Sequence, residues 1–406
     1  MKKTLLLIAG GNNQLSIAKE VINQGHKLIL VDPNLDCPCS KFAHLQLIHD
    51  TRHYLDIFKD IEDQNIKIDG VISDQSDAAL KSVSLIAEKF KLPYKNLKVI
   101  NNTLNKSTQY EILISNGIRV PKTFCCELGQ EKDFIEGFDF KNNSLNNFWV
   151  LKPADSQGSK GVYIIDSKEE LEEKLSKSFK ESRKGCVILQ EFINGREYSI
   201  DALITGGDFY PLVCATKFHY LNNQCIDERN TFINDVEEIV LKNLIETTKS
   251  AAKALFFEET LLHAELILSE DSGESYIIEI SPRGGGGSIS SKIIPYLTGF
   301  NANEFIIKTA LGELINDLPK KDIIFNQEKF VIMRFLPEFN NKFSDVLISK
   351  PKTSELLHLE LPETPGKGSI ISDSRSRLGY WVIANKNLSE LINDENIMLK
   401  SLKFLK

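Results

Sequence analysis

Three segments of the 406-residue chain combine residue types that could carry out chemistry. The first joins a lysine on a strand-like run to a loop of small and basic residues: Lys152, Ser156, Gly158, Ser159, Lys160 and Gly161. A lysine on a buried strand places a positive charge on a phosphate, and glycines let backbone N–H groups close over phosphate oxygens. The segment lacks the G-x-x-x-x-G-K-[ST] spacing of a P-loop. It predicts a strand and a phosphate-binding loop, although an ordinary hairpin turn has a similar composition.

The second segment holds two strand-like runs on either side of Asn194-Gly195. The first run could expose backbone groups and an apolar wall to a flat base. Glu191 and Glu197 would then be available to sugar hydroxyls or base amines. Any β-hairpin with acidic flanks shows the same pattern, so this segment is informative only beside the other two.

The third segment carries two carboxylates on neighbouring strands. Strand alternation places His263, Glu265 and Ile267 on one face of the first strand. It places Glu279 and Ser281 on one face of the second strand. Buried carboxylates so close are costly unless a cation lies between them, and hard oxygen ligands suit Mg²⁺ held partly by nucleotide phosphates. Arg283 and four glycines follow, so a guanidinium could hold a transferring phosphoryl group beside a substrate that lies against backbone. A chance acidic hairpin is the alternative.

The first hundred residues predict the βαβ units of a parallel sheet, with strands at 5–9, 27–31 and 70–73 and a helix at 14–23. Gly10-Gly11 follow the first strand without a G-x-G-x-x-G fingerprint, which disfavours a dinucleotide oxidoreductase. Ligands collect at the carboxyl ends of parallel strands, so Asp74 and Asp77 are candidate substrate contacts. Helix capping is their other interpretation.

The pattern changes twice along the chain and predicts three domains, at 1–100, 101–315 and 316–406. Asn105-Lys106-Ser107 opens a helix that ends at Gly117. A polar stretch at 129–147 predicts a surface excursion. Beyond Gly312, β-like runs at 329–336, 345–349 and 380–384 and a helix at about 388–403 predict a small β-rich module.

Composition excludes several functional classes. With 49 Lys+Arg against 56 Asp+Glu, the net charge of −7 and the lack of a dense basic run argue against a nucleic-acid partner. The apolar runs are too short for a membrane span or a signal peptide, so we expect a cytoplasmic protein without a membrane partner. The seven cysteines show no metal-binding spacing and are expected to be reduced thiols.

The three segments, in this order, resemble the ATP-grasp superfamily. The resemblance implies mixed α/β and α+β architecture: a Rossmann-like N-terminal domain at 5–97, a nucleotide-clamping ATP-grasp domain at 105–311, and the small C-terminal module. Lys106, with Asn105 where the family usually has Asp, resembles the first ATP lysine, and Lys152 resembles the second. Residues 156–161 resemble the mobile phosphate lid.

The resemblance also implies roles for the remaining positions. Glu191, Phe192 and Ile193 are similar to the hinge that receives adenine, Glu197 to a ribose contact, and Ile267 to the adenine floor. Glu265 and Glu279 match the metal-bridging carboxylates, and Arg283 matches the arginine of the same motif. Ser281 stands where the family usually has Asn, which puts the second metal position in question. Further substrate contacts are expected at His263, Gly285 and Gly286.

Closer similarity is to carboxylate-amine ligases of the L-amino-acid ligase type. It implies an enzyme that uses ATP and Mg²⁺, or Mn²⁺, to activate a small-molecule carboxylate as an acyl phosphate and couple it to an amine, with Arg283 and Lys152 as catalytic residues. The resemblance makes a homodimer plausible. A bicarbonate-activating carboxylase is the alternative within the fold. The acceptor pocket is expected to involve residues 74–77, Lys217, His219, Arg229 and the glycine loop at residues 284–287. A regulatory protein with an inactive site is disfavoured by the retained lysines, glutamates and arginine.

Overall fold

The computed structural model describes residues 1–93, 97–140 and 148–406. Residues 141–147 of the predicted surface excursion lie outside this set. Within the described residues, no helix has both the length and the apolar character that crossing a membrane requires.

The N-terminal region is a parallel sheet with helices on both faces. Its elements are β1 (Thr4–Ile8), α1 (Leu15–Asn23), β2 (Lys27–Val31), β3 (Leu45–Leu47), α2 (Tyr54–Asp63), β4 (Gly70–Ile72) and α3 (Asp77–Phe90), and the strand order is β3-β2-β1-β4. Leu5 and Leu7 pack with α1, whereas Leu6 and Ile8 pack with α2 and α3, because successive side chains of a strand point to opposite faces. The predicted parallel sheet is confirmed.

A second unit is built on a small antiparallel sheet. Its elements are α4 (Leu97–Thr103), α5 (Lys106–Ser115), β5 (Thr123–Glu127), α6 (Glu131–Gly137), β6 (Trp149–Pro153), β7 (Tyr163–Ile165), α7 (Lys168–Glu181) and β8 (Cys186–Glu191), and the sheet order is β5-β8-β6-β7. Trp149 is fully buried in its core with residues of α7. The loop between β6 and β7 therefore extends from a firmly packed strand.

A large antiparallel sheet forms the rest of the molecule. Its elements and those that cover it are β9 (Gly195–Thr205), β10 (Asp208–Tyr220), β11 (Asn223–Phe232), α8 (Glu238–Ala254), β12 (Thr260–Ser269), β13 (Ser275–Ser281), α9 (Ile294–Thr298), α10 (Ala302–Leu311), β14 (Phe330–Phe335), β15 (Phe339–Phe343), β16 (Asp345–Leu347), β17 (Glu355–Glu360), β18 (Gly366–Ser369), β19 (Tyr380–Asn385), α11 (Leu388–Ser401) and β20 (Lys403–Leu405). The order of the large sheet is β13-β12-β9-β10-β11-β14-β19-β17, whereas β15 pairs with β18 and β16 pairs with β20 in two separate two-stranded sheets. Helix α8 covers one face, and α9 and α10 pack on the other.

Two features cross the predicted domain boundaries, which themselves stay predictions. Strands β14, β17 and β19 of the C-terminal region join the same sheet as β9 to β13, so residues 316–406 are β-rich but share their main sheet with the preceding region. In addition, Ile307 and Ala310 of α10 pack in the core of the N-terminal region. Strand alternation reports which face of a strand is buried but not which strand lies beside it, so neither feature could be predicted.

Candidate active site

A cleft of about 950 Å³ lies where the three sheets meet. Residues 11–14, which follow β1, line it together with Gln75 and Asp77, as expected for loops at the carboxyl ends of parallel strands. Most of the predicted site residues also line this cleft: Asp77, Lys106, Lys152, Ser156, Gly158, Ser159, Lys160, Glu191, Phe192, Ile193, Glu197, His263, Glu265, Ile267, Glu279, Ser281, Arg283 and Gly286.

Among the predicted nucleotide, metal and substrate contacts, Asp74, Gly161 and Gly285 do not line the cleft. Asp74 is buried behind the glycine loop, where it accepts a hydrogen bond from the Ser290 hydroxyl at 2.8 Å. Gly161 has a φ of +70° and packs against Glu181 of α7, so its role in the loop is conformational. Gly285 approaches Asp201 so closely that a Cβ there would lie 2.6 Å from a carboxylate oxygen. Sequence spacing predicts that a residue lies on a loop, but it does not predict whether that residue faces the cleft or the protein interior.

Lys106 links two parts of the site. Asn105 caps α5 by accepting hydrogen bonds from the backbone N–H groups of Ser107 and Thr108, so Asn performs the capping task at this position. The buried Lys106 ammonium then donates to Glu279 Oε1 at 3.0 Å and to the Ser156 carbonyl at 3.2 Å. Burial opposes its charge, but Glu279 raises the pKa of Lys106 above its usual value. This lysine is a permanent cation at the base of the β6–β7 loop.

Lys152 has a different environment. Its buried ammonium donates to the Tyr110 hydroxyl at 3.4 Å and forms no ion pair with any carboxylate of the described residues. Burial, together with the charge of Lys106, lowers the pKa of Lys152 to about 8. An ammonium that is buried without a counter-ion is suited to an anion that arrives from outside.

The loop between β6 and β7 is anchored at both its base and its tip. At its base, Asp155 accepts hydrogen bonds from the backbone N–H groups of Arg183 and Lys184. At its tip, the Ser159 hydroxyl donates to the Cys225 carbonyl at 2.7 Å, and Ser374 N–H donates to the Gly158 carbonyl at 3.0 Å. The loop therefore covers the cleft and contacts the C-terminal region.

Glu265 and Glu279 face each other directly on β12 and β13. Each carboxylate is held by a lysine: Glu279 by Lys106, and Glu265 by Lys217 at 2.7 Å. Burial would raise the pKa of Glu265, but Lys217 and His263 hold it well below its usual range. Two opposed carboxylates that need nearby cations fit a Mg²⁺ ion, which prefers oxygen ligands. The structure thus brings together the predicted pair.

A charged cluster surrounds Lys217. Its ammonium contacts Glu197, Glu265 and Asp227, and Glu197 also lies 2.9 Å from His219 Nε2. Burial would lower the pKa of Lys217, but the three carboxylates hold it well above its usual range. Glu197, the predicted ribose contact, is therefore already ion-paired. Glu197, His219 and Asp227 lie close enough to share a metal ion, but Lys217 already supplies the cation.

The N-terminal region holds Arg283. Asp77 accepts hydrogen bonds from Arg283 Nε at 2.8 Å and from Nη2 at 2.6 Å, and it also accepts one from the Ser281 hydroxyl. Burial would raise the pKa of Asp77, but Arg283 keeps it below its usual value. Asp77 thus holds the Arg283 guanidinium in a fixed plane. It also binds the hydroxyl of Ser281, the residue that puts the second metal position in question.

Asp201 holds the glycine loop at Gly285. It is fully buried, lies 3.0 Å from His263 Nδ1 and accepts a hydrogen bond from Gly285 N–H at 3.0 Å. Burial lowers the pKa of His263, but Asp201 and Glu265 outweigh it and raise the pKa to about 9. Sequence reasoning missed Asp201, although its place in the run Tyr198–Asp201 on a buried strand was a signal.

Arg229 lies apart from the cleft in which the acceptor pocket is expected. Its guanidinium pairs with the buried Glu395 of α11 at 3.2 Å and does not line the cleft. Register shifts between β10 and β11 interrupt the simple alternation of side chains along these strands. Arg377, in contrast, lines the cleft and was not predicted as a site residue.

Comparison with known proteins defines the class. Residues 103–287 match the family model of the ATP-grasp domain, and these residues include α5, the small sheet, β9 to β13 and the glycine loop. Residues 103–287 therefore form an ATP-grasp domain, which confirms the predicted resemblance and fold.

Individual relatives are distant. The chain is 20% identical over 298 residues to the carbamoyl phosphate synthase large chain of Clostridium botulinum, covering 63% of this chain but only 27% of that protein. It is 27% identical over 253 residues to the phosphoribosylamine–glycine ligase of Helicobacter pylori, covering 58% of each. The crystal structure of an L-amino acid ligase from Bacillus licheniformis superposes with a TM-score of 0.80 at 19% identity, covering 100% of this chain and 98% of that one.

Proposed function

We propose that this protein is an ATP-dependent ligase that activates a small-molecule carboxylate as an acyl phosphate and couples it to an amine. The observation that carries the proposal is the direct pairing of Glu265 with Glu279 in the cleft that also holds Lys106, Lys152 and Arg283. The names of two similar proteins, a phosphoribosylamine–glycine ligase and an L-amino acid ligase, support a ligase.

The reaction has two steps. A carboxylate oxygen attacks the γ-phosphorus of ATP, the bond to the bridging oxygen breaks, and ADP leaves. The amine nitrogen then attacks the acyl carbon, phosphate leaves with the electrons of the C–O bond, and the nitrogen gives up a proton. The products are an amide, ADP and phosphate.

The side chains would act by positioning substrates and offsetting charge. Lys106 and Lys152 would hold the nucleotide phosphates, and Arg283 would face the transferring phosphoryl group. Glu265 and Glu279 would hold Mg²⁺, which neutralises phosphate charge when bound. The β6–β7 loop would keep water from the acyl phosphate until the amine arrives. Residues 191–193 and Ile267 would receive the adenine. The use of Mn²⁺, a homodimer and a cytoplasmic location stay predictions.

Phosphate release from ATP tests this function. The purified protein is assayed with Mg²⁺ across a panel of carboxylic acids, amino acids and bicarbonate, each with and without an amine. We expect release that requires both a carboxylate and an amine, with a stoichiometric amide product. Release with bicarbonate alone would instead indicate the carboxylase alternative. No release with any combination would contradict both.

The lowered pKa of Lys152 predicts a pH limit on ATP use. Below pH 8 its ammonium is charged and binds phosphate, whereas above pH 8 the free enzyme holds a neutral amine. We therefore expect kcat/KM for ATP to fall about tenfold per pH unit above pH 8. Lys152→Arg keeps its charge and should shift this limb to higher pH. If kcat/KM for ATP falls over the same pH range in that variant, the titrating group is not Lys152.

Gly158→Ala is expected to impair loop closure. Gly158 has a φ of +67°, and a Cβ there would overlap the Ser374 hydroxyl. We expect turnover to fall about tenfold while the Tm changes by only about 2 °C, because the loop adds little to the core. Gly129→Ala is the matched control, since Gly129 also has a positive φ, +93°, but no atom of the described residues lies within 4 Å of its added Cβ. Equal losses in both variants would show that backbone strain alone is responsible.

A further inference from the structure

Arg377 lines the cleft, and no acidic side chain of the described residues pairs with it. Its Nη2 donates to the Asp227 carbonyl at 2.8 Å, its Nε is buried without a hydrogen bond, and no carboxylate of the described residues forms an ion pair with it. Other arginines of the same region are neutralised. Arg375 pairs with Asp373 at 2.7 Å, and Arg334 pairs with Glu228 at 3.0 Å.

The surroundings of Arg377 hold its guanidinium in a fixed plane. The guanidinium carbon lies 3.7 Å from the ring centroid of Phe335, so the two groups stack. Burial lowers the pKa of Arg377, yet a guanidinium remains charged at neutral pH. Its planar N–H donors match carboxylate and phosphate oxygens. A stacked guanidinium that faces a cleft and has no ion-pair partner among the described residues can bind an anionic ligand.

Arg377 and Arg283 are linked through the glycine loop. A Cβ on Gly287, at the end of this loop, would lie 3.9 Å from the Phe335 ring, and Ser288 Oγ lies 2.9 Å from the hydroxyl of Tyr380, whose ring packs 5.5 Å from that of Phe335. Arg283 stands at the start of the loop, whereas Phe335 and Arg377 stand beyond its end. The cleft therefore has a second cationic position in addition to the lysines and Arg283.

We propose that Arg377 binds an anionic group, a carboxylate or a phosphate, of the amine-bearing substrate. This inference rests on the proposed ligase function. Lys106, Lys152 and Arg283 are assigned to the nucleotide and to the activated carboxylate, so an additional anion requires an additional cation. The acceptor would then be an acidic amine such as an amino acid or a phosphorylated amine, and Arg377 would determine that specificity.

A binding measurement tests the anion site without turnover. Mg²⁺ and the non-hydrolysable β,γ-imido analogue of ATP first fill the nucleotide site, and acetate or inorganic phosphate is then titrated by calorimetry. We expect binding to the wild-type protein that weakens about tenfold or more in Arg377→Gln, since hydrogen bonds to charged groups are lost. The anion that binds more tightly distinguishes carboxylate from phosphate. Absence of binding to the wild type, or equal binding by Arg377→Gln, would overturn the proposal.

Two further variants separate charge, geometry and position. Arg377→Lys keeps the charge but loses the planar donors, so we expect intermediate anion affinity. Arg375→Gln removes a charge from the same segment where Asp373 already compensates it, so we expect anion affinity within about twofold of the wild type. A loss in Arg375→Gln as large as in Arg377→Gln would indicate a diffuse electrostatic effect and contradict a site at Arg377.

A kinetic measurement ties the site to the acceptor. With a carboxylate identified by phosphate release, L-alanine is compared with L-alaninamide, and phosphoethanolamine with ethylamine. We expect Arg377→Gln to raise the acceptor KM about tenfold for the acidic member of a pair, and to leave the ATP KM and the KM of the neutral member unchanged. Phosphate release by a wild type that prefers neutral amines would refute this inference but not the ligase. No release at all would refute the ligase itself, while the calorimetric result still decides the anion site.

Discussion

Glu279→Gln is expected to reduce turnover of Mg-ATP by at least about a hundredfold while the fold stays intact. Glutamine has nearly the same shape and still accepts the hydrogen bond from Lys106, so the change removes mainly a negative charge. Without that charge, Glu265 alone faces the position between β12 and β13, and the site loses one of its two paired anionic oxygen ligands. Phosphate release at several Mg²⁺ concentrations measures the effect.

The Mg²⁺ dependence separates a metal ligand from a structural residue. A lost ligand should raise the Mg²⁺ concentration needed for half-maximal activity as well as lower the maximal rate. Glu274→Gln is the matched control: Glu274 precedes the same strand, but its carboxylate is exposed and pairs with Arg119 at 3.2 Å. We expect that variant to retain activity. Unchanged phosphate release by Glu279→Gln would remove the metal assignment.

The sequence was sufficient to predict the parts of the fold that depend on local pattern. The continuous apolar run at residues 5–9 predicted a buried strand, and both faces of β1 are indeed covered. Asn105 and Gly117 predicted the limits of α5, because each satisfies backbone groups at a helix end. Such signals need only a few neighbouring residues.

Alternation also predicted which site residues share a face. Glu265 and Glu279 are 14 positions apart, and the turn between them allows only antiparallel pairing, so the hairpin predicts that their strands are neighbours. A bulge between Glu265 and Leu266, on the turn side of the pair, shifts the register by one residue and places Glu265 opposite Glu279 instead of Ile278. The pairing of the two strands was therefore predictable, whereas the bulge that aligns the glutamates was not, and the strands that carry Lys217 and Asp227 acquire their relation to Glu265 only through the complete sheet.

The remaining features depend on contacts between distant segments. Asp77 and Arg283 are 206 positions apart, and Arg377 reaches the carbonyl of Asp227 across 150 positions. No local pattern shows whether an arginine finds a carboxylate, as Arg229 does at Glu395, or faces a cleft without one, as Arg377 does. These differences follow from packing and set the charge of the site.

Arg283→Lys is expected to lower kcat about a hundredfold or more while the ATP KM changes little. Lysine keeps the positive charge, but it cannot donate to both oxygens of Asp77 and to the Gly284 carbonyl in one plane. The remaining charge would then be mobile at the point where the transferring phosphoryl group needs fixed donors. Phosphate release and thermal unfolding are measured on the same samples.

Asp77→Asn tests whether the fixed orientation of Arg283 matters as much as its charge. The amide oxygen still accepts one hydrogen bond, but the amide nitrogen meets Arg283 as a second donor, so the guanidinium loses its orientation and keeps its charge. If orientation is needed, kcat should fall by an intermediate amount, about tenfold, with ATP affinity retained. If Arg283 only ties the N-terminal region to the glycine loop, both variants should lower the Tm by similar amounts and leave kcat close to wild type. That outcome would assign the Asp77–Arg283 pair to stability and require another cation for the phosphoryl group.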